Sequence, residues 1–329
     1  MQHTINGKQV GPIGYGMTSL MKPPQPSQSD ALSILKAAID AGANFLDAGE
    51  QYGSKDYNSL HLLNAYFTKH PEDISKVFIS VKGCFDMSAA KPSNDEEGVQ
   101  ASINNCLRIL DGKCWIDLFQ ASRGDPKVPV EETVAAIARF VESGKIGGVG
   151  LSECSAMTVR RAVKVHRIEA VEVELSLFET GVLTKGVAEA CKELSIPIIA
   201  YSPLGRGFLT NQLRKFEDLG ADDFRRVFPR FQPEVFDTNL MLVDEVAKIA
   251  RRKSCTVPQI AIAWVTAQSK KLDVPVIPIP GTAQLSRLRE NLHAVELTTA
   301  ELQEIDNILE RMEVKGGRCP DAFSKYMEL

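Results

Sequence analysis

The sequence predicts an α/β protein: a single (β/α)8 barrel with a long loop after strand seven and a loop at the C-terminal tail. Eight short β-rich segments recur along the chain, and each is followed by a stretch with helical periodicity. Strict alternation of this kind requires parallel strands with helical crossovers. The length of 329 residues suits one enlarged barrel over residues 1–329, with little left for a second domain.

The elements follow one another in regular order. The predicted strands are Gly11–Gly16, Asn44–Ala48, Val77–Lys82, Ile116–Ala121, Gly148–Ser152, Ala170–Ser176, Pro197–Tyr201 and Val276–Pro280. The predicted helices are Ser29–Ala41 with Ser29 as cap, Asp95–Leu110, Val130–Val141, Met157–Val165, Lys185–Leu194, Thr238–Lys253, Pro258–Gln268 and Thr299–Arg311. An open doubly wound sheet is the alternative, but the early glycines lack the spacing of its phosphate-binding fingerprint.

Composition excludes several classes of protein. Hydrophobic residues make up 44% and charged residues 24%, which argues against disorder, and the net charge of -4 argues against nucleic acid as a partner. No apolar run approaches the ~20 residues that cross a bilayer, and the polar start lacks a secretory signal core.

Seven scattered cysteines predict reduced thiols and a cytoplasmic location. None of the five histidines ends a strand, so no metal site is expected.

Three residues after the second and third strands suggest acid–base chemistry. In a barrel, catalytic groups lie at the C-terminal ends of the strands. Asp47, Tyr52 and Lys82 would meet there, and a nearby ammonium lowers the pKa of a phenol. The same residues could instead be a structural ion pair and a packed ring. Asp47 with Glu153 would alternatively supply the two carboxylates of a glycosidase.

The interval after Tyr201 is longer than the others and carries repeated positive charge. It includes Arg206, Arg214, Lys215, Arg225, Arg226 and Arg230. From the charge pattern alone, this segment is either a solvated loop or a clamp for an anion.

At this point the sequence resembles the aldo-keto reductase family over nearly its whole length. The segments that carry the resemblance are Gly14–Gly16, Asn44–Ala48 with Tyr52-Gly53, Val81-Lys82, Asp125–Pro129, Gly144–Ile146, Gly150–Ser152, Ala200–Thr210 and Ile279–Thr282. The resemblance implies a TIM barrel that binds NADPH without a Rossmann domain and acts on a small-molecule carbonyl substrate. No nucleic acid or membrane partner is implied, and the oligomeric state is left open.

The resemblance also implies individual roles. By it, Tyr52 donates a proton to the substrate carbonyl oxygen, Lys82 lowers the pKa of Tyr52, and Asp47 pairs with Lys82, while hydride comes from nicotinamide C4. The implied cofactor-binding positions are Gly16, Ser152, Glu153, Glu172, Tyr201, Ser202, Pro203, Leu204, Gly205, Arg206, Gly207, Gly281, Thr282, Arg287, Glu290 and Asn291. Among these, Tyr201 would stack on the nicotinamide and Arg287 would meet the 2′-phosphate, which indicates NADP rather than NAD.

Three positions depart from the family pattern. Ser122 stands where the family has histidine, and Glu153 and Glu172 replace the asparagine and glutamine that hold the carboxamide. An ionised glutamate accepts from the carboxamide NH₂ but cannot donate to its carbonyl. In these departures the sequence resembles the pyridoxal reductase branch of the family. In this chain we expect Ser122 to leave room for a pyridine ring and to orient the substrate carbonyl.

Three functions stay open from the sequence: pyridoxal reduction, reduction of other aldehydes or ketones, and a non-catalytic NADPH-binding regulatory subunit. The candidate substrate-pocket residues are the aromatics that adjoin the mouth segments, Phe85, Phe119 and Phe208. The tail from Glu313 either closes over the substrate or is flexible.

Overall fold

The computed structural model describes residues 2–327 and contains one sheet of eight parallel strands. In chain order these are β1 Tyr15–Gly16, β2 Phe45–Gly49, β3 Phe78–Gly83, β4 Leu118–Ala121, β5 Val149–Ser152, β6 Ile168–Glu174, β7 Ile198–Tyr201 and β8 Val276–Pro278. Each strand pairs with the next along the chain, and the Gly14 N–H donates to the Pro278 carbonyl at 2.9 Å between the first and last strands. The predicted barrel with eight strands is therefore confirmed.

Helices surround the sheet. They are α1 Gln28–Asp40, α2 Ser59–Lys69, α3 Glu96–Leu110, α4 Val130–Glu142, α5 Ala156–Ala162, α6 Gly181–Thr184, α7 Val187–Glu193, α8 Pro233–Lys253, α9 Val257–Leu272, α10 Leu285–Leu292, α11 Thr299–Arg311 and α12 Asp321–Ser324. Among the described residues, no helix combines the length and the apolar character that crossing a membrane needs.

The interior of the barrel has an apolar floor and a polar upper layer. Because successive strand residues point to opposite faces, every second residue of a strand enters the interior. The floor consists of Phe45, Phe78, Leu118, Ala170, Ile199, Ile277 and Ile279, closed from below by Ile5 and Val10. Ile5 and Val10 belong to an antiparallel hairpin, His3–Ile5 with Lys8–Val10, which lies outside the predicted elements. Two residues further along β2, β3 and β6, the interior positions are polar, and these positions form the mouth.

Several elements differ from the predicted ones. Helix α2 was not predicted, because its capping box pairs Asn58 with His61 rather than a serine or threonine with an acidic residue or glutamine. Helix α10 also lies outside the predicted set. The first helix is capped by Ser27, whose side chain accepts from the Asp30 N–H, so Ser29 as cap was wrong.

The long interval after β7 consists of short 3₁₀ turns followed by α8 and α9. The turns are pinned by a buried aromatic group. The ring of Phe208 lies 4.8 Å from Phe178, 4.4 Å from Phe231 and 5.0 Å from Phe236, centroid to centroid. These rings belong to the main hydrophobic core, so the interval is packed against the rest of the barrel.

Candidate active site

A buried charge cluster lies in the upper layer of the barrel. Lys82 on β3 pairs with Asp47 on β2, and its Nζ lies 2.5 Å from Oε1 of Glu172 on β6. All three side chains are at most 3% exposed. Gln120 on β4 donates to Glu172 Oε2 at 2.7 Å and to Ser80 Oγ at 3.2 Å. One cation therefore faces two carboxylates in a site closed to water.

The charge imbalance shifts the proton equilibria of the cluster. Burial and the nearby Asp47 carboxylate raise the pKa of Glu172 to about 7, although Lys82 and Gln120 act in the opposite direction. Burial lowers the pKa of Lys82, but Asp47 and Glu172 raise it by more, so the net shift is upward. Lys82 thus stays an ammonium, and the raised pKa of Glu172 brings its protonation close to neutral pH.

Tyr52 stands at the edge of this cluster. Its ring packs on Gly49, where an added Cβ would lie only 3.0 Å from the ring, so glycine gives the phenol its place. The hydroxyl donates to Asp47 Oδ2 at 3.3 Å, and Lys82 Nζ lies 5.6 Å from the ring centroid. Burial, with help from Asp47, raises the pKa of Tyr52, while Lys82 lowers it. The phenol therefore keeps its proton until a base forms beside it, as a general acid requires.

Ser122 follows β4 and is buried beside this group. Its hydroxyl donates to the Gly83 carbonyl at 2.8 Å and accepts from Gln51 Nε2 at 2.7 Å. The single hydroxyl proton is thus engaged, and Ser122 holds Gln51 in place. Within the described part of the chain, Oε1 of Gln51 is buried and has no hydrogen-bond partner.

The positions assigned to the nicotinamide lie at the ends of β5, β6 and β7. Within residues 2–327, the buried Oγ of Ser152 has no hydrogen-bond partner, an orphan that a carboxamide would satisfy. Glu153 accepts from the Glu174 N–H at 3.1 Å, and Tyr201 lies half-buried at the mouth. Glu172 was also assigned to the nicotinamide, but its side chain contacts Lys82 in the buried charge cluster instead.

The segment assigned to the pyrophosphate forms a tight turn after β7. Its members Ser202, Pro203, Leu204, Gly205, Arg206 and Gly207 lie in sequence order along this turn. Four of them, Ser202, Gly205, Arg206 and Gly207, have positive φ. Arg206 donates to Glu174 at 3.1 Å, and its buried Nε has no hydrogen-bond partner among the described residues. The guanidinium thus keeps a donor for an anion.

The ends of β1 and β8 come together at two glycines. A Cβ on Gly281 would lie 2.4 Å from the Gly16 carbonyl oxygen, so only glycine allows this approach. Next to it, Thr282 accepts at its carbonyl from the Tyr15 hydroxyl at 2.5 Å. The residues assigned to the adenosine end share one face of α10, at the spacing of one helical turn: Arg287, Glu290 and Asn291.

Two of the three aromatic residues that we expected to line the substrate pocket do not do so. Phe119 and Phe208 are fully buried. Phe119 is the strand residue that points outward to the helices, because its neighbour Gln120 takes the interior position. Phe208 lies in the aromatic group described above. Only Phe85, which is half-buried, keeps surface at the mouth.

Sequence reasoning missed three residues of the site: Gln51, Gln120 and Arg318. Gln51 is adjacent to Tyr52, which is the one sequence signal that could have drawn attention to it. Arg318 lies in the tail and contacts Glu153 at 2.9 Å. All seven cysteines are free.

Metal-ligating side chains cluster at one place in the described residues, away from the mouth. The group consists of His70, Glu72 and Asp73. Asp73 is already engaged, since it accepts from Tyr66 at 2.7 Å and pairs with Lys76 at 2.6 Å.

The parallel barrel holds a half-buried phenol, a buried ammonium and buried carboxylates at the C-terminal ends of its strands, and this arrangement suits proton transfer. The aldo/keto reductase family model matches residues 12–310. The chain belongs to this family and is an oxidoreductase; its members use NAD(P)H.

Relatives support the same placement. The chain is 39% identical over 334 residues to probable pyridoxal reductase 2 of Schizosaccharomyces pombe, covering 98% of each chain. It is 34% identical over 325 residues to the aldo-keto reductase yakc [NADP(+)] of the same organism, covering 96% of this chain and 93% of the relative. A glycerol dehydrogenase structure from Gluconobacter oxydans superposes with a TM-score of 0.82 at 22% identity, covering 96% of this chain and 97% of that one.

Proposed function

We propose that this protein reduces an aldehyde to an alcohol with NADPH, and that its substrate is pyridoxal, which it converts to pyridoxine. The observation that carries the proposal is the Tyr52 phenol held against Asp47 beside the Lys82 ammonium. The 39% identity to a probable pyridoxal reductase supports the choice of substrate. The reaction would belong to vitamin B6 metabolism, and free thiols are consistent with the cytoplasm.

Tyr52 would act as the general acid. Bound NADPH supplies the hydride for the carbonyl carbon. As negative charge develops on the carbonyl oxygen, the phenol of Tyr52 donates its proton to that oxygen, and the Lys82 ammonium stabilises the phenolate that remains. A positioned acid of this kind contributes about 10²–10⁴-fold to the rate. Asp47 and Glu172 hold Lys82 in a fixed place during the transfer.

The cofactor would lie across the C-terminal ends of the last four strands. The orphaned Ser152 hydroxyl and the free Nε of Arg206 offer polar contacts to the nicotinamide end and to the pyrophosphate. Arg287 and Asn291 on α10 would meet the 2′-phosphate and the adenine, and an arginine at that place favours NADP over NAD.

The environment of Gln51 supports a substrate that is an aromatic aldehyde with a hydroxyl on the neighbouring ring carbon. Pyridoxal has a phenolic hydroxyl on the ring carbon next to its aldehyde. The buried Oε1 of Gln51, which has no partner among the described residues, would accept from that hydroxyl while Nε2 stays on Ser122. A substrate without the hydroxyl would leave this acceptor unsatisfied, at a cost of about 1–3 kcal/mol.

The test compares pyridoxal with pyridine-4-carbaldehyde, which lacks the hydroxyl, by the loss of NADPH absorbance. The wild-type protein should favour pyridoxal in kcat/KM by about 10-fold or more. Gln51→Leu should lose most of that preference and keep its turnover of pyridine-4-carbaldehyde. Tyr52→Phe should reduce both rates by about 10²–10⁴-fold and still bind NADPH.

Each contrary result has a distinct meaning. No pyridoxal-dependent loss of NADPH, together with turnover of other aldehydes, would remove pyridoxal and leave a reductase of other carbonyl compounds. Tight NADPH binding without oxidation by any carbonyl compound would instead indicate a regulatory NADPH-binding subunit.

A further inference from the structure

The C-terminal tail brings an arginine into the mouth of the barrel. Nη2 of Arg318 lies 2.9 and 3.0 Å from the two carboxylate oxygens of Glu153 and 3.1 Å from Glu174. The same nitrogen lies 3.2 Å from the Tyr201 hydroxyl, and Nε lies 3.5 Å from Glu179. Arg318 therefore contacts two of the residues that the family resemblance assigns to the nicotinamide.

The backbone before Arg318 is fixed to the barrel. Asn239 on α8 is buried; it accepts from the Lys315 N–H at 2.8 Å and donates to the Lys315 carbonyl at 2.9 Å. Gly316 has a φ of +86°, and a Cβ there would lie 2.6 Å from the backbone of Arg230. Only a glycine fits this contact, so the tail reaches Arg318 along a defined path.

Charge balance keeps Arg318 in the mouth. Three guanidinium groups, from Arg206, Arg230 and Arg318, face three carboxylates on β6 and the adjoining loops. Burial raises the pKa of Glu174, but these guanidinium groups lower it by more, so the net shift is downward. Glu153 is 2% exposed, and withdrawal of Arg318 would leave its charge buried without the ion pair described here. Displacing Arg318 from the mouth would therefore cost free energy.

A nicotinamide carboxamide needs both an acceptor and a donor from the protein. Glu153 is an acceptor only, and Glu172 is engaged by Lys82 and Gln120. Arg318 is a donor only, and it lies on Glu153. The pair together supplies the two functions that a single asparagine or glutamine would supply.

We propose that Arg318 and Glu153 together bind the nicotinamide carboxamide, with Arg318 donating to its carbonyl oxygen and Glu153 accepting from its NH₂. Arg318 is then a cofactor-positioning residue contributed by the tail. The proposal rests on the proposed function, because it requires NADPH in this mouth.

The test measures equilibrium binding of two ligands by fluorescence titration and competition. NADPH carries the carboxamide, and 2′-phospho-ADP-ribose has the same adenosine and phosphates without the nicotinamide. Arg318→Met should weaken NADPH binding by about 10-fold or more, as expected for loss of a charged hydrogen bond, and change 2′-phospho-ADP-ribose binding less than about 2-fold. Lys315→Met, an exposed charge in the same tail, is the matched control and should change neither affinity.

A double variant protects the test against simple misfolding. Glu153→Gln combined with Arg318→Met removes the unpaired charge and puts a donor and an acceptor on one side chain, so it should recover NADPH affinity relative to Arg318→Met. Unchanged NADPH binding in Arg318→Met would overturn the proposal. Tighter binding would identify Arg318 as a plug that the cofactor displaces, and equal weakening of both ligands would give it a purely structural role.

The two proposals fail in different ways. If the wild-type protein binds neither ligand, both are wrong. If it binds NADPH but does not reduce pyridoxal, only the substrate assignment fails, and the comparison of variants still decides the role of Arg318.

Discussion

We predict that Glu172 makes the free energy of unfolding depend on pH, and that the substitution Glu172→Gln removes this dependence. It shares the single ammonium of Lys82 with Asp47, and its pKa is raised to about 7 from 4.5 by burial and by the Asp47 charge. Glu172→Gln removes the ionisable group and retains an oxygen acceptor for Gln120, with almost no change of volume. Lys82 keeps its ion pair with Asp47 in the variant.

The sign follows from proton binding. Between about pH 4.5 and 7 the unfolded chain has lost the Glu172 proton while the folded protein keeps it, so the free energy of unfolding falls as pH rises through this window. One pKa unit is worth about 1.4 kcal/mol, and a shift from 4.5 to about 7 makes the loss between pH 5 and pH 8 about 2–3 kcal/mol. The stability of Glu172→Gln relative to wild type should therefore rise by that amount over the same interval.

Urea unfolding followed by the fluorescence of the buried Trp264 measures this difference at each pH. Titrating groups that do not interact with Glu172 cancel, because only the difference between variant and wild type is used. Glu310→Gln, an exposed glutamate on α11, is the control and should track the wild type at every pH. Parallel curves for Glu172→Gln and wild type would show that Glu172 is ionised throughout and would refute the reasoning.

Two further predictions concern the core and the substrate site. Phe208→Ala removes a ring stacked between Phe178 and Phe231 and should lower the free energy of unfolding by about 3–5 kcal/mol in urea; a loss under about 1 kcal/mol would mean that this group is not a core. Ser122→His puts an imidazole where the hydroxyl now holds Gln51, so kcat/KM should fall more for pyridoxal than for a slim aliphatic aldehyde. Equal losses for both substrates would contradict that expectation.

The sequence was enough to predict the positions of site residues that follow the two-residue period of a strand. Strand alternation puts Asp47 and Lys82 on the same interior face as the floor residues Phe45 and Phe78, and strand order puts them on neighbouring strands. Their pairing could therefore be expected before the structure was known. Glu172 could not be placed in the same way, because it lies on a strand that is not adjacent to β3 and reaches Lys82 only when the sheet curves into a barrel.

Contacts made by turns and by the tail could not be predicted from the sequence, for a different reason. Gln51 lies in a turn, where side-chain direction follows no period, and its orientation depends on the hydroxyl of Ser122. Arg318 is 165 residues from Glu153 along the chain, and no local pattern links them. The path of the tail is fixed by a hydrogen bond from the Lys315 backbone N–H to the side chain of Asn239 on α8, so it depends on how that helix is packed.

Glu153 and Glu172 stand where the family resemblance leads us to expect amides, which raises the question of whether the site is decaying or rebuilt. A buried carboxylate that arises by drift would lack a compensating cation and would destabilise the fold. Here Glu172 pairs with Lys82, and Glu153 pairs with Arg318. The second cation comes from the tail, whose backbone at Lys315 is held by the buried side chain of Asn239 on α8, so the partner of Glu153 depends on the packing of a separate helix. A cation beside each buried carboxylate favours a working site over a decaying one, and the group of Asp47, Tyr52 and Lys82 favours a catalytic role over a purely regulatory one.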